Sequence, residues 1–178
     1  MKSALLIPAI VVACLAASLV SRAADTPNIP TVRIGVFDSR AVAMAYHRSA
    51  AQEAARADRH TAYEKAKKEG DRAAVKEWER EGPWTQVRMH LQVFSTATTH
   101  EILASVHDRL PAIAENARVT AIVSKWEIPY IDGTVELIDV TAEVADLFNP
   151  SAETRKFIEQ MKGSEPVPFS KMSLDPRA

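Results

Sequence analysis

Cysteine is almost missing from this chain: Cys14 is the one instance in 178 residues. Aromatic side chains make up 6% and glycine occurs five times. Charge nearly cancels, with 22 basic against 23 acidic side chains. Each shortage excludes something. A single cysteine rules out an internal disulfide, so stability has to come from packing or from association of copies. Without a basic excess there is no concentrated positive surface for nucleic acid. Few aromatics beside much alanine favour helices over a large β-sandwich. Beyond the N-terminal segment no apolar run approaches the ~20 residues of a membrane-spanning helix.

What is present begins at the N-terminus. Lys2 precedes an apolar stretch from Ala4 to Val20, interrupted by Pro8 and Ser18, and Ser21-Arg22-Ala23 then supplies small residues where signal peptidase reads them. Residues 1–23 therefore read as a secretory signal peptide cut after Ala23, which places the working protein outside the cytoplasm. Val11-Val12-Ala13-Cys14 also fits a lipoprotein box, the alternative in which Cys14 carries a lipid anchor. Cleavage after Ala23 takes the cysteine with it and leaves 20 basic and 23 acidic side chains, a net charge of −3. The remainder, about 155 residues, suits one domain.

Residues 32–37 alternate Val32, Ile34 and Val36 onto one face, as a strand requires. From 40 to 69 the composition is alanine interleaved with Gln, Glu, Arg and Lys, which predicts one long helix with a thin apolar face. Gly70-Asp71 pairs a helix-ending glycine with a new cap, and Gly82-Pro83 is a second possible turn. The tip of the hairpin is expected at Gly70. Trp84, Val87, Leu91 and Phe94 then form a heptad-like seam suited to a partner helix. Ile102, Val106, Leu110, Ile113 and Ala117 recur on one helical face, with a kink expected at Pro111. After Arg118 the period changes. Residues 119–126 and 135–140 are rich in β-branched side chains and read as neighbouring strands across an Asp132-Gly133 turn. Thr141 caps a short helix through Phe148, Ser151 caps another to Lys162, and Pro166-Val167-Pro168 predicts an extended tail.

Three segments carry a family resemblance. Arg33-Ile34-Gly35-Val36-Phe37-Asp38-Ser39-Arg40-Ala41-Val42 resembles the opening strand and helix start of Skp/OmpH-type periplasmic chaperones. Val119 to Ser124 resembles that family's second strand, and Ile138-Asp139-Val140-Thr141-Ala142-Glu143-Val144 its last strand entering the C-terminal helix. The likeness spans residues 32–148. It implies an α+β fold: a small sheet body at 24–148 with a long helical hairpin at about 40–117, followed by an extension at 149–178 outside the likeness. It also implies a trimer whose arms surround unfolded outer-membrane proteins, with no cofactor. Three short strands leave sheet edges and a face unfinished, so association of copies is a physical expectation too.

Within that picture Tyr63, Trp78, Trp84 and Phe94 are the candidate client contacts, and Val36, Ile122, Val123 and Ile138 the sheet core that carries the oligomer. Familiar members are basic, whereas residues 52–81 hold eight basic and eight acidic side chains here. Holding is then expected to rest on apolar contacts. The competing reading is a non-catalytic interaction module whose hairpin docks one folded envelope partner. Catalysis finds little support: His47, His60, His90, His100 and His107 lack metal-ligand spacing, and Asp38, Asp132 and Asp139 suit caps and turns.

Overall fold

The alternating strand at the start of the domain becomes its centre. In the computed structural model, which describes residues 31–175, β1 (Arg33–Phe37) lies between β2 (Ala121–Ser124) and β3 (Glu136–Asp139). Both outer strands pair with β1 in parallel. The signal-peptide and lipid-anchor readings fall outside the described residues. β2 and β3, expected as neighbours, instead flank β1 on opposite sides, because parallel pairing needs a crossing connection and excludes a tight hairpin. The Asp132-Gly133 turn survives as a loop feature: Asp132 Oδ1 accepts from the Thr134 amide at 2.8 Å.

Register sorts the strand residues onto two faces. Gly35 pairs with both Ile122 and Ile138, and with Phe37 these face the helices and pack against the core. Ile34, Val36, Val123 and Leu137 point the other way. The expected sheet core of Val36, Ile122, Val123 and Ile138 is therefore divided: Ile122 and Ile138 belong to the helix-covered face, Val36 and Val123 to the opposite one. That second face borders a hollow of about 450 Å³ lined by Ile34, Val123, Ile128, Pro129, Tyr130, Ile131 and Val135. Parallel sheets are normally covered on both faces.

Seven α-helices occur among the described residues. α1 (Ser39–His47) is the hub, with Ala41, Val42, Ala43 and Ala45 all buried; small side chains let other helices approach it from several sides. The single helix expected over 40–69 is broken after α1. Ser49 turns to an extended conformation and its hydroxyl accepts from the Gln52 amide at 3.3 Å, starting α2 (Ala50–Glu69). The break separates two environments, since Ala66 is the one buried residue of α2.

α2 ends at Gly70, whose φ of 70° is left-handed, and Asp71 caps α3 (Arg72–Phe94) by accepting from the Ala73 and Ala74 amides. The tip is thus at Gly70. Gly82-Pro83 does not turn the chain: α3 continues through it. Proline removes one helical hydrogen bond, but the glycine before it has no Cβ for the ring to crowd. Gly70→Ala should destabilise by about 1 kcal/mol in urea unfolding, because a Cβ disfavours the left-handed region.

The expected seam of α3 is rotated. Met89, Gln92 and Val93 turn toward the core, while Trp84 and Phe94 are 50% and 47% exposed. A polar residue marks the buried face because Gln92 is hydrogen-bonded on both sides, to His47 and to the Thr98 carbonyl. Beyond α3, Ile102, Val106 and Ile113 are buried as their spacing requires. Their helix is nevertheless split into α4 (His100–Ala104) and α5 (Leu110–Ala117), with Pro111 in the first turn of α5 rather than at a kink. The long antiparallel pair is therefore α2 and α3 alone, shorter than 40–117. α7 (Ala152–Met161) follows its expected cap Ser151, but Thr141 does not cap α6 (Thr141–Asp146): it is the first helical residue after Val140, its hydroxyl is taken by the Asp38 amide, and the helix stops short of Phe148. Val144, Ala145, Phe148 and Ile158 join the core.

Candidate functional site

Two places concentrate polar chemistry. The first lies at the carboxyl ends of β1 and β2. Asp38, which follows β1 and caps α1, is 3% exposed, accepts four hydrogen bonds and pairs with Lys125. The Arg40 amide, Arg40 Nε and Trp126 Nε1 donate to Oδ1 at 3.0, 3.1 and 2.9 Å. Arg40 Nη2 and Lys125 Nζ meet Oδ2 at 2.8 and 3.1 Å. Burial alone would raise the Asp38 pKa, but the hydrogen bonds from Arg40, Trp126 and Lys125, with the charge of Arg40, hold it down at about 2. Arg40 and Lys125 also lie 5.0 and 4.4 Å from the Trp126 ring centre. Every oxygen of this carboxylate is engaged, so the cluster fixes the strand ends to α1. Asp139 acts similarly on a smaller scale, accepting from the Thr141 amide at 2.9 Å, while the Thr141 hydroxyl accepts from the Asp38 amide at 3.0 Å.

The second place is a cleft of about 720 Å³ between α2 and α3, closed at one end by Tyr46, His47, Glu101 and Ile102. On the α2 wall Gln52, Arg56, Arg59, His60 and Tyr63 follow one helical face, and across from them stand Trp78, Gly82, Gln86, Met89 and Gln92. The helices meet toward the tip, where Tyr63 Oη donates to Glu79 Oε1 at 3.2 Å and Ala66 is buried. Between tip and base they separate.

Polar groups at the base are ordered. Gln92 Nε2 donates to the Thr98 carbonyl at 2.9 Å, which leaves Oε1 as acceptor for His47 Nε2 at 2.8 Å. Burial lowers the His47 pKa and nearby Arg56 adds to that, against the Gln92 hydrogen bond, and the net lowering favours the neutral ring. Arg56 Nη1 donates to the His47 carbonyl at 2.8 Å. Charges of both signs line the cleft. Arg56, Arg59 and Arg88 stand with Glu79, Glu81 and Glu101 in its lining, and Arg88 lies 3.6 Å from Glu101.

Of the four candidate contacts, the cleft brings together Tyr63 and Trp78, both half-buried. Trp84 and Phe94 stand outside its lining. Sequence reasoning missed Tyr46, Arg56, Arg59 and Met89. The four-, three- and four-residue steps from Gln52 through Arg56 and Arg59 to Tyr63 could have found the α2 wall, but Tyr46 depends on the break at Ser49.

Among the described residues no group of three or more His, Cys, Asp or Glu is placed to hold a metal ion, and no helix is long and apolar enough to cross a membrane. Comparison with protein-family models, curated proteins and solved structures finds no match for this chain.

Proposed function

We propose that the protein is a holdase-type chaperone of the periplasm, a divergent relative of the Skp/OmpH type, that keeps unfolded outer-membrane or other envelope proteins from aggregating without catalysis or cofactor. The observation that carries this reading is the open cleft between α2 and α3, where aromatic and thioether side chains alternate with charged ones of both signs. An extended chain can lie along such a groove. Apolar side chains then meet Tyr46, Tyr63, Trp78 and Met89, while backbone and polar groups meet Gln52, Gln86 and the arginines. In this proposal residues 1–23 act as a secretory leader that brings the protein to where such clients pass, and the exposed part of the second sheet face, around Leu137, gives copies a surface on which to associate.

Apolar contact carries most of the holding in this proposal. Trp78→Ala should weaken binding of an unfolded outer-membrane protein about tenfold, as loss of a large buried aromatic does, without changing oligomer mass. Raising salt should cost less than that, since it screens only the contribution of Arg56, Arg59 and Arg88. Fluorescence anisotropy with a labelled client and light scattering measure the two effects. Affinity that collapses with salt while Trp78→Ala binds normally would overturn the apolar mechanism. Suppression of aggregation across several unrelated clients is the expected breadth; binding to one folded protein alone would make the chain a docking module instead.

A further inference from the structure

The C-terminal extension touches both roots of the hairpin. Its helix α7 lies on α1, with Ile158 in the core and Thr154 2% exposed. At the first root, where α1 breaks into α2, Arg48 Nη2 reaches Glu153 Oε1 at 3.3 Å and the Arg48 guanidinium lies 4.6 Å from the Phe157 ring centre. At the second root, where α3 ends, the Val167 amide donates to the Phe94 carbonyl at 2.8 Å. That carbonyl belongs to the last turn of a helix and has no partner within it. Ser95, the next residue, is 1% exposed, while the Phe94 side chain stays 47% exposed.

A third contact fastens the extension between the roots. Arg40 Nη2 donates to the Ser164 carbonyl at 2.8 Å, and Arg40 is immobilised by Asp38. Only two residues, Glu165 and Pro166, separate Ser164 from Val167, and Pro166 and Pro168 flank the donor amide. Proline fixes φ, so this span is stiff rather than a loose tether. The extension is thus anchored to the body at Arg40 and at Arg48, the C-cap of α1, and reaches from there to the end of α3.

We infer that the C-terminal extension is a clamp that sets the angle of the α2–α3 hairpin to the body, and with it the opening of the cleft. The inference concerns the geometry of the cleft and does not depend on what occupies it. With both grips in place the hairpin holds one setting. With them released, the hairpin is held to the body by the packing of Met89 and Val93 and the hydrogen bonds of Gln92 and Arg56, and it samples a wider range of settings about the Ser49 break.

The test uses the full chain with spin labels on Lys68→Cys at the tip and Glu115→Cys on the body, both positions exposed; Cys14 is replaced by serine. Electron–electron resonance reads the tip-to-body distance distribution. The parent should give a single narrow distribution. Arg48→Ala removes the first grip and Val167→Pro removes the donor of the second. Each should broaden the distribution, and the pair should roughly double its width, as expected when a hinge loses its restraints. Both changes are at partly exposed positions, so circular dichroism should report an intact fold; if the double variant fails to fold, the single variants decide. A distribution already broad in the parent, or one unchanged when the grips are removed, overturns the clamp.

Discussion

Replacing Arg40 with methionine should cost about 3 to 5 kcal/mol in urea unfolding, a large share of the ~5–15 kcal/mol that stabilises a domain. The reason is the company Arg40 keeps. Its side chain is 3% exposed and that of Asp38 4%, and the pair is joined through two side-chain hydrogen bonds at 3.1 and 2.8 Å. Removing the guanidinium leaves a buried carboxylate with Lys125 as its remaining cation, and that lysine is 34% exposed and more weakly held. Asp38→Asn combined with Arg40→Met should recover much of the loss. The amide oxygen can still accept from the Arg40 amide and Trp126, and no uncompensated charge stays inside. A cost below about 1 kcal/mol for Arg40→Met would mean that the cluster is not the fastening described.

The same carboxylate gives a pH signature. Its pKa is lowered from the ordinary 3.8 to about 2 in the folded protein, so its stabilisation is complete above 3.8 and is lost as pH falls through 2. From this group alone the unfolding free energy should drop by about 2 kcal/mol over that window. Asp38→Asn should flatten the profile there. Between pH 5 and pH 8 Asp38 contributes no slope, because it is ionised in both folded and unfolded chains.

How much of this could be read from the sequence depended on how local the cause was. Gly70-Asp71 and Ser151 signal helix ends through their own backbone and side-chain preferences, and the structure places a break or start at each; Thr141, read as a cap, is instead the first residue of α6, its hydroxyl committed to the distant Asp38 amide. Asp38 was legible as a cap. That it also binds Trp126 and Lys125 was not, because those residues are some 90 positions away and reach it only once β1 and β2 are paired in parallel. The α3 seam misled for a related reason. Trp84, Val87, Leu91 and Phe94 form a regular apolar row, yet the buried face is the one carrying Gln92, and only the positions of His47 and Thr98 make a buried glutamine favourable. The cleft was half visible, through Tyr63 and Trp78. Its base was hidden by the break at Ser49, which looks like one more small residue in an alanine-rich run.

Leu137→Asp and Ile138→Asp, changes at adjacent positions, should have opposite consequences. In β3 Leu137 pairs across from Ile34 and Ile138 from Gly35, so their side chains point to different faces of the sheet. Ile138 packs against the core of Phe37 and Val144, and an aspartate there would bury a charge with no cation to meet it. The expected result is little soluble protein, or a chain without native circular dichroism. Leu137 is 44% exposed at the open edge of the second face, where Ile34 is half-buried and Val36 covered, and an aspartate there remains in water in a single copy. That variant should fold normally. If copies associate through this face, as proposed, its solution mass should fall to that of one chain, because each copy would now have to desolvate a carboxylate against apolar neighbours. A one-residue slip in register would exchange the two outcomes, so the pair tests the sheet as well as the assembly. Should Leu137→Asp fold and keep the parent's mass, association uses some other surface. Should Ile138→Asp fold as well as the parent, the strand faces the other way.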